Sequence, residues 1–312
     1  MVSGNGSLLG LRGASKAAIS GLLDRAEALL PVVRGSAPPL KATNPALIAM
    51  LFLENSTRTR CSFQTAAYRL GHQAMLLGSS GTSLSKGESF LDTAKTIAAM
   101  GVDAMVVRTS HAGGPAFLAE HLACPILNAG DGRNEHPTQA LLDALALRGR
   151  LGDLAGRTIV IVGDITNSRV ARSNVWCLSA LGASIVLCGP PPLLPQAFEA
   201  LAPERCLITD NLDDALARAD AVMMLRVQRE RGGARSIGKD YATAFGLTDA
   251  RAANLGSTVP ILHPGPANKG VEIGWAAYDD PSRSLIREQV TCGVAIRMAT
   301  LERAVGTKGD RD

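Results

Sequence analysis

Short apolar segments alternate with helical patterns along most of the chain, and this alternation limits the fold more than any other feature. Apolar runs at 47–53, 74–77, 104–107 and 125–127 predict one group of strands, and runs at 158–162, 184–187, 221–225 and 259–262 predict a second. Continuous apolar runs are typical of parallel strands covered on both faces. A helix predicted from 138 to about 150 connects the two groups. The 312 residues therefore predict two α/β domains, each a mostly parallel sheet flanked by helices.

Composition and charge argue against several classes of protein. The net charge of +4 is small and the basic residues are spread out, so nucleic-acid binding gains no support. No apolar run reaches the roughly 18 residues of a membrane-spanning helix, and the acidic Asp24 and Glu27 are unlike a secretion signal. Six cysteines without a C-x-x-C pair predict reduced, mostly buried thiols of a cytoplasmic protein. The five histidines lack metal-ligand spacing, so no metal is expected.

Residues 54–60 carry the strongest functional signal. Here an apolar strand gives way to a helix predicted to begin near Thr57, and hydroxyl and guanidinium groups are concentrated at that point, on Ser56, Thr57, Arg58, Thr59 and Arg60. A helix start offers unpaired N–H groups and a partial positive charge. The segment therefore predicts a phosphate site. The alternative is that Ser56 or Thr57 only caps the helix while the arginines solvate one of its faces.

Further polar clusters follow the other predicted strands, where open parallel sheets bind their ligands. Arg108 ends one strand, and the string 128–139 brings His136 and Gln139 to a helix start, where His136 could hold a developing oxyanion. Arg226 and Gln228 end another strand and suit a carboxylate. Each of these clusters also has a structural interpretation as a cap or a charged surface turn.

Three more loops complete the pattern. A glycine-bounded polar loop at 81–88 carries Lys86, which could be a plain surface lysine. Residues 163–169 open a helix after a strand but hold only one of the three glycines of a dinucleotide fingerprint, so a dehydrogenase-type enzyme is a weak alternative. The proline loop at 263–269 could present backbone carbonyls to a ligand N–H.

Taken together and in this order, these residues resemble the catalytic chains of the aspartate carbamoyltransferase family over nearly all of residues 7–305. The matching segments are Ser-Thr-Arg-Thr-Arg at 56–60, the Lys86 loop, Arg108, His-Pro-Thr-Gln at 136–139, Arg169, Arg-Val-Gln at 226–228 and His-Pro-Gly-Pro at 263–266.

The resemblance implies a fold, an assembly and a site. It implies a carbamoyl-phosphate domain at 1–149 and 290–312, which the last helix rejoins, and an aspartate domain at 150–289. It also implies a homotrimer in which Lys86 reaches a neighbour's site. Carbamoyl phosphate is expected to bind to Ser56, Thr57, Arg58, Thr59, Arg108, His136, Gln139, Gly265 and Pro266, and aspartate to Lys86, Arg169, Arg226 and Gln228.

The implied chemistry is carbamoyl transfer from carbamoyl phosphate to the amine of L-aspartate, an early step of pyrimidine synthesis, without a metal or organic cofactor. The residues expected to be catalytic are Arg58, Thr59, Arg108 and His136. Ornithine carbamoyltransferase is the nearest rival, but its Asp-rich S-M-G segment and its H-C-L-P loop are missing. A non-catalytic homologue that acts as an assembly partner is a third alternative. A regulatory chain or dihydroorotase as a further partner remains open.

Overall fold

The computed structural model describes residues 5–78, 87–227 and 240–306. The chain divides into two compact units, one up to Leu141 and again from Thr291, the other Leu142–Val290. Both are built of a parallel sheet with helices, as the sequence predicts. No helix among the described residues is both long and apolar enough to cross a membrane.

The first unit contains a sheet of four strands in the order β2-β1-β3-β4, all paired in parallel. The strands are β1 (Leu47–Phe52), β2 (Gln73–Gly78), β3 (Ala104–Thr109) and β4 (Ile126–Asp131). The helices are α1 (Lys16–Arg34), α2 (Thr57–Arg69), α3 (Phe90–Ala99), α4 (Gly114–His121), the start of α5 (Pro137–Leu151) and most of α11 (Ile286–Gly306). Side chains such as Leu51 and Val107 are fully buried between sheet and helices.

The second unit has a five-stranded parallel sheet in the order β7-β6-β5-β8-β9. Its strands are β5 (Thr158–Val162), β6 (Ser184–Cys188), β7 (Cys206–Thr209), β8 (Ala221–Met224) and β9 (Ile261–Leu262). Its helices are α6 (Arg169–Ala180), α7 (Leu212–Ala217), α8 (Tyr241–Phe245), α9 (Asp249–Asn254) and α10 (Trp275–Asp279). Two short 3-10 turns, Pro191–Leu193 and Gln196–Leu201, lie between β6 and β7.

The return of the last helix to the first unit is confirmed. The guanidinium of Arg25 on α1 donates to both carboxylate oxygens of Glu302 on α11, each at 2.7 Å. Deeper in the same unit, Nη1 of the buried Arg297 on α11 donates to Ser62 Oγ on α2 at 2.9 Å. The second contact joins the C-terminal helix to α2, which carries the predicted phosphate motif.

Two differences from the sequence prediction concern strands. β4 was expected to end at residue 127 but continues to Asp131, because its polar residues Asn128 and Asp131 are buried and bonded rather than exposed. β7 was not predicted at all. It is a four-residue edge strand in which Leu207 is exposed, and its apolar run, at 206–208, is short.

Candidate active site

The predicted phosphate cluster lies at the carboxyl edge of the first sheet. β1 has β2 on one side and β3 on the other, so the direction in which successive strands are added to the sheet reverses between β1 and β3. Ligands of open parallel sheets bind at such switch points. The helix α2 begins after β1, and Arg108 on β3 is in register with Phe52, the last residue of β1. The topology therefore brings the 56–60 segment and Arg108 to one place.

The start of α2 keeps its hydroxyl groups available for a ligand. Ser56 is the N-cap residue, with extended backbone angles, but its side chain makes no capping hydrogen bond. The structural interpretation, that Ser56 serves only to cap the helix, predicts such a bond. Thr57 and Arg58 are exposed, whereas Thr59 is buried with its hydroxyl turned inward to His136. This arrangement is the one expected of an anion-binding helix start.

Arg108 is held in place by groups from both neighbouring strands. Its Nη1 donates to the carbonyl of Ala129 on β4 at 3.0 Å, and its Nε lies 3.6 Å from Glu54 Oε2, just after β1. The backbone agrees, since Leu53 N donates to the Arg108 carbonyl at 2.8 Å. A guanidinium fixed in this way is pre-positioned for a ligand and needs little reordering when one binds.

His136 meets the phosphate helix through Thr59. The two side chains approach to 3.4 Å, between Thr59 Oγ1 and His136 Nε2, and both are buried. His136 directly precedes α5, whose first residue is Pro137, and Gln139 follows within the first turn. The structure thus brings together a hydroxyl and an imidazole from residues 77 positions apart in the chain.

The loop before His136 is shaped by Asp131, a residue that the sequence analysis did not single out. Its Oδ1 accepts from Asn128 Nδ2 and Glu135 N, both at 2.9 Å, and its Oδ2 accepts from Gly113 N at 2.7 Å and Asn134 Nδ2 at 2.9 Å. Four donors on one buried carboxylate define the path of the loop. The spacing Asn128-x-x-Asp131 at a strand end was the available signal, since both residue types favour side chain to backbone bonds.

Glu135, next to His136, extends this bracing to the N-terminal segment. Its buried carboxylate accepts from the backbone N–H of Leu11 at 2.8 Å and of Arg12 at 3.3 Å. Leu8 forms a parallel bridge with Leu127, which places this segment beside β4. His136 is therefore anchored from both sides of the loop that carries it.

In the second unit, two predicted aspartate-binding residues follow adjacent strands. The switch point of this sheet lies between β5 and β8. Arg169 is the first residue of α6 after β5, and Arg226 comes two residues after β8. The strand ends approach closely: a Cβ at Gly163, where φ is +140°, would lie 2.9 Å from that of Leu225. Arg169 and Arg226 therefore both lie at the carboxyl edge of the second sheet, where parallel sheets bind their ligands.

The turn between β5 and α6 does not suit a dinucleotide. Asp164 is fully buried there, and both of its oxygens accept from Asn167 Nδ2 at 2.9 Å. A buried carboxylate at this position would repel a pyrophosphate, which normally lies against the glycine-rich turn. The geometry agrees with the weakness of the glycine fingerprint.

The proline loop after β9 is stabilised by buried side chains. His263 is buried and lies 3.2 Å from the equally buried Glu272, between Nε2 and Oε1. Gly265 has φ of +67°, and the Gly265–Pro266 peptide is cis. Pro266 is exposed at the tip of the loop. Two further predicted residues, Lys86 and Gln228, lie outside the described residues.

The cysteines and the potential metal ligands among the described residues give no evidence of a second functional site. None of the six cysteines forms a disulfide, and four are buried. Burial raises the pKa of the Cys188 thiol to about 12, and that of Cys206 also to about 12, so neither is a thiolate near neutral pH. In the described part of the chain, no group of three or more His, Cys, Asp or Glu side chains could hold a metal ion.

Comparison with known families matches both units. Residues 7–149 match the model of the aspartate/ornithine carbamoyltransferase carbamoyl-P binding domain. Residues 155–303 match that of the aspartate/ornithine carbamoyltransferase Asp/Orn binding domain.

Individual relatives cover nearly the whole chain. The aspartate carbamoyltransferase catalytic subunit of Myxococcus xanthus is 50% identical over 297 residues, which is 95% of this chain and 98% of the relative. The Trypanosoma cruzi aspartate transcarbamoylase in complex with N-(phosphonacetyl)-L-aspartic acid has a TM-score of 0.85 at 30% identity, covering 95% of this chain and 94% of that one. The catalytic subunit of M. jannaschii aspartate transcarbamoylase has a TM-score of 0.84 at 30% identity, covering 98% and 99%. The chain belongs to the aspartate/ornithine carbamoyltransferase family.

Proposed function

We propose that this chain is the catalytic chain of an aspartate carbamoyltransferase, which transfers the carbamoyl group of carbamoyl phosphate to L-aspartate and yields N-carbamoyl-L-aspartate and phosphate. The observation that carries the proposal is the meeting of Thr59 and His136, 3.4 Å apart, beside Arg108 at the switch point of the first sheet. The names of the closely similar relatives support the same activity.

Residues 1–149 with 290–312 form the carbamoyl-phosphate-binding domain of this proposal. The phosphate binds to the start of α2 through Ser56, Thr57, Arg58 and Thr59. The carbonyl oxygen accepts from Thr59, Arg108 and His136, which stabilise the negative charge that develops on it. Gln139 and the backbone carbonyl of Pro266, which follows Gly265, accept from the carbamoyl NH2. These contacts polarise the carbon and fix its orientation.

Residues 150–289 form the aspartate-binding domain. Arg169, Arg226 and Gln228, with Lys86 of a neighbouring subunit, bind the two carboxylates of aspartate. The deprotonated amine attacks the carbamoyl carbon, a C–N bond forms, and the bond from carbon to the phosphate oxygen breaks. The departing phosphate takes the amine proton. The step balances without a protein nucleophile or a cofactor.

Aspartate is favoured over ornithine by charge. The side-chain ammonium of ornithine would be repelled by Arg169 and Arg226, which start from adjacent strands. The one carboxylate in the turn before α6, on Asp164, is already bonded to Asn167. A dicarboxylate therefore fits this edge better than a diamino acid.

The proposed assembly of this protein is a homotrimer with active sites shared between subunits. The proposed location is the cytoplasm, and the proposed pathway is pyrimidine synthesis. β2 is one of the two edge strands of the first sheet, and Leu76 on it is 44% exposed. Tyr68 on α2 is 72% exposed. Exposed apolar side chains beside an unpaired edge suit contact with another subunit.

The test is a transfer assay with a choice of amino acid. Purified protein is incubated with carbamoyl phosphate and either L-aspartate or L-ornithine, and both released phosphate and the carbamoylated amino acid are measured. We expect product with aspartate and hardly any with ornithine. Measuring the amino acid product separates transfer from simple hydrolysis of carbamoyl phosphate.

A matched pair of variants completes the assay. Arg58→Ala, at the start of α2, should abolish transfer, whereas Arg69→Ala, at the other end of the same helix, should keep it. A preference for ornithine would refute the substrate assignment. Absence of transfer to either amino acid by a folded protein would favour the non-catalytic homologue.

A further inference from the structure

The loop at 263–268 is held by buried side chains rather than by strand pairing. Two of its residues, Pro264 and Pro266, have no N–H to donate. Of the four remaining N–H groups, three are bonded to side chains: that of His263 to Gln289 Oε1 at 3.0 Å, that of Gly265 to His263 Nδ1 at 2.8 Å, and that of Asn268 to Glu272 Oε1 at 2.6 Å. Side chains thus determine where this part of the backbone runs.

Glu272 is the centre of one half of this arrangement. It is fully buried, and its carboxylate accepts from Asn268 through both the backbone N–H and Nδ2, the latter at 3.2 Å. Because Nδ1 of His263 accepts from Gly265, the proton of the neutral ring is on Nε2, which faces Glu272 Oε1 at 3.2 Å. A buried carboxylate is costly unless several donors satisfy it. Here the donors come from both ends of the loop.

Gln289 and Asp143 form the other half. Gln289 on α11 accepts from His263 N and donates through Nε2 to Asp143 Oδ1 at 2.7 Å. Asp143 on α5 accepts from Asn174 on α6 at 2.8 Å, through its other oxygen. All three side chains are buried. Gln289 is thereby fixed against two helices, and it fixes the start of the loop in turn.

Three carbonyl groups of the same loop are available to a ligand. No described residue donates a hydrogen bond to the carbonyls of Pro264, Gly265 or Pro266. Pro264 and Gly265 are half-buried, where carbonyls normally have partners, and Pro266 is exposed at the tip of the loop. The loop is therefore fixed through the N–H groups of His263, Gly265 and Asn268 while these three carbonyl groups are available, which is the pattern of a rigid acceptor for a ligand amide.

From this pattern, and resting on the proposed function, we infer that Glu272 and Gln289 are positioning residues that set the Pro266 carbonyl to recognise the NH2 group of carbamoyl phosphate. They act through the loop and do not touch the substrate. Their contribution is selectivity for a carbamoyl group over an acyl group of the same shape. A ligand with a methyl group in place of the NH2 gains nothing from the loop.

The experiment compares three ligands that share a phosphate. Carbamoyl phosphate carries the NH2, acetyl phosphate replaces it with CH3, and inorganic phosphate lacks the whole group. Their dissociation constants are measured by calorimetry without aspartate, so that catalysis does not enter. For Glu272→Ala we expect carbamoyl phosphate to bind about tenfold more weakly, the loss of roughly one well-placed hydrogen bond. Acetyl phosphate and phosphate should stay within about twofold of the wild type.

Three further variants make the test specific. Glu272→Gln keeps an acceptor oxygen for His263 and Asn268 and should restore most of the preference. Gln289→Met releases His263 N from the other side and should repeat the Glu272→Ala pattern, so the test does not depend on one variant folding. Asp220→Ala is the matched control. Asp220 also accepts one hydrogen bond from a side chain, that of Arg157, and one from a backbone N–H, that of Thr158, but it lies at the amino edge of the sheet. It should leave all three constants unchanged.

The outcomes separate the two proposals. If the wild type does not prefer carbamoyl phosphate to acetyl phosphate, the proposed function is in question. If the wild type has this preference and Glu272→Ala and Gln289→Met keep it, the positioning role is wrong. Equal weakening of all three ligands would likewise refute it, because a general loss of structure does not distinguish NH2 from CH3.

Discussion

At the scale of single residues, the candidate site depends on a few side chains that reach across the sequence. Thr59 and His136 are brought within 3.4 Å by the starts of α2 and α5, and Arg108 is fixed between Glu54 and the Ala129 carbonyl. Each of these groups is held before any ligand arrives. In a preorganised site the donors need no reorientation as charge develops, which is where electrostatic catalysis gains its strength.

The role of His136 gives a direct prediction. Replacing it with alanine removes one donor to the carbonyl oxygen, and we expect the barrier to rise by about 3 kcal/mol, a loss of more than a hundredfold in kcat. Steady-state kinetics with carbamoyl phosphate and aspartate measure this effect, and circular dichroism checks the fold. His121→Ala, on the exposed end of α4, is the control and should keep wild-type turnover. Near wild-type kcat for His136→Ala would exclude the oxyanion role.

The sequence was sufficient for residues whose chemistry is visible in a short string. Ser56 to Thr59 and His136 to Gln139 concentrate several functional groups at a predicted helix start, and the structure places them there. Residues that act through distant partners were not predictable. Glu135 bonds to Leu11, 124 positions away, and Gln289 bonds to Asp143, 146 positions away. No local pattern encodes a contact of this kind.

At the scale of elements, the helices and strands that could be predicted are those with a clear period or a cap. Ser15 caps α1 by accepting from Ala18 N, and Gly35 ends that helix with φ of +79°, as a left-handed C-terminal glycine should. Strands β1 and β5 are buried on both faces and appear as continuous apolar runs. The far end of β4 is polar and lacks that signal, and β7 offers only a short apolar run at 206–208.

The connection between α2 and β2 contains a pH-sensitive element. His72 lies between them, and its Nδ1 accepts from the backbone N–H of Ala46, just before β1, at 3.2 Å. Burial lowers the pKa of His72 below its ordinary value of 6.5, against the smaller opposing effects of Asp103 and Glu302. Protonation would also remove the acceptor for Ala46. The neutral ring is therefore the form that the folded state favours.

From this we predict how stability depends on pH. Below about pH 6.5 the unfolded chain takes up a proton on His72 that the folded chain resists, so the free energy of unfolding falls as pH decreases through this range. In His72→Gln this contribution is absent, and the decrease between about pH 7 and 5.5 should be smaller. Urea unfolding at fixed protein concentration measures both slopes. Identical slopes for the two proteins would show that His72 does not contribute.

At the scale of the whole molecule, two sheets of the same design each place their clusters at a switch point. In the first sheet this point lies between β1 and β3, with the α2 start and Arg108, and in the second between β5 and β8, with Arg169 and Arg226. The proposed reaction uses both sets, one for carbamoyl phosphate and one for aspartate. The proposal adds Lys86 from a second copy of the chain, so that a subunit alone has an incomplete site.

Complementation between inactive variants tests this shared site. Arg58→Ala should disable a site through its own chain, and Lys86→Ala should disable the site of the neighbour that receives Lys86. Equal amounts of the two inactive proteins are dissociated and reassembled at random as cyclic trimers. At each subunit junction, one chain keeps an intact Arg58 with a probability of one half, and its neighbour keeps an intact Lys86 with a probability of one half. About a quarter of the junctions should therefore hold both intact residues. Transfer activity should therefore return, while each variant reassembled alone stays inactive. Native mass spectrometry verifies that mixed trimers have formed. Mixed trimers as inactive as their parents would place Arg58 and Lys86 in the site of one chain, because only then can no junction hold both intact residues.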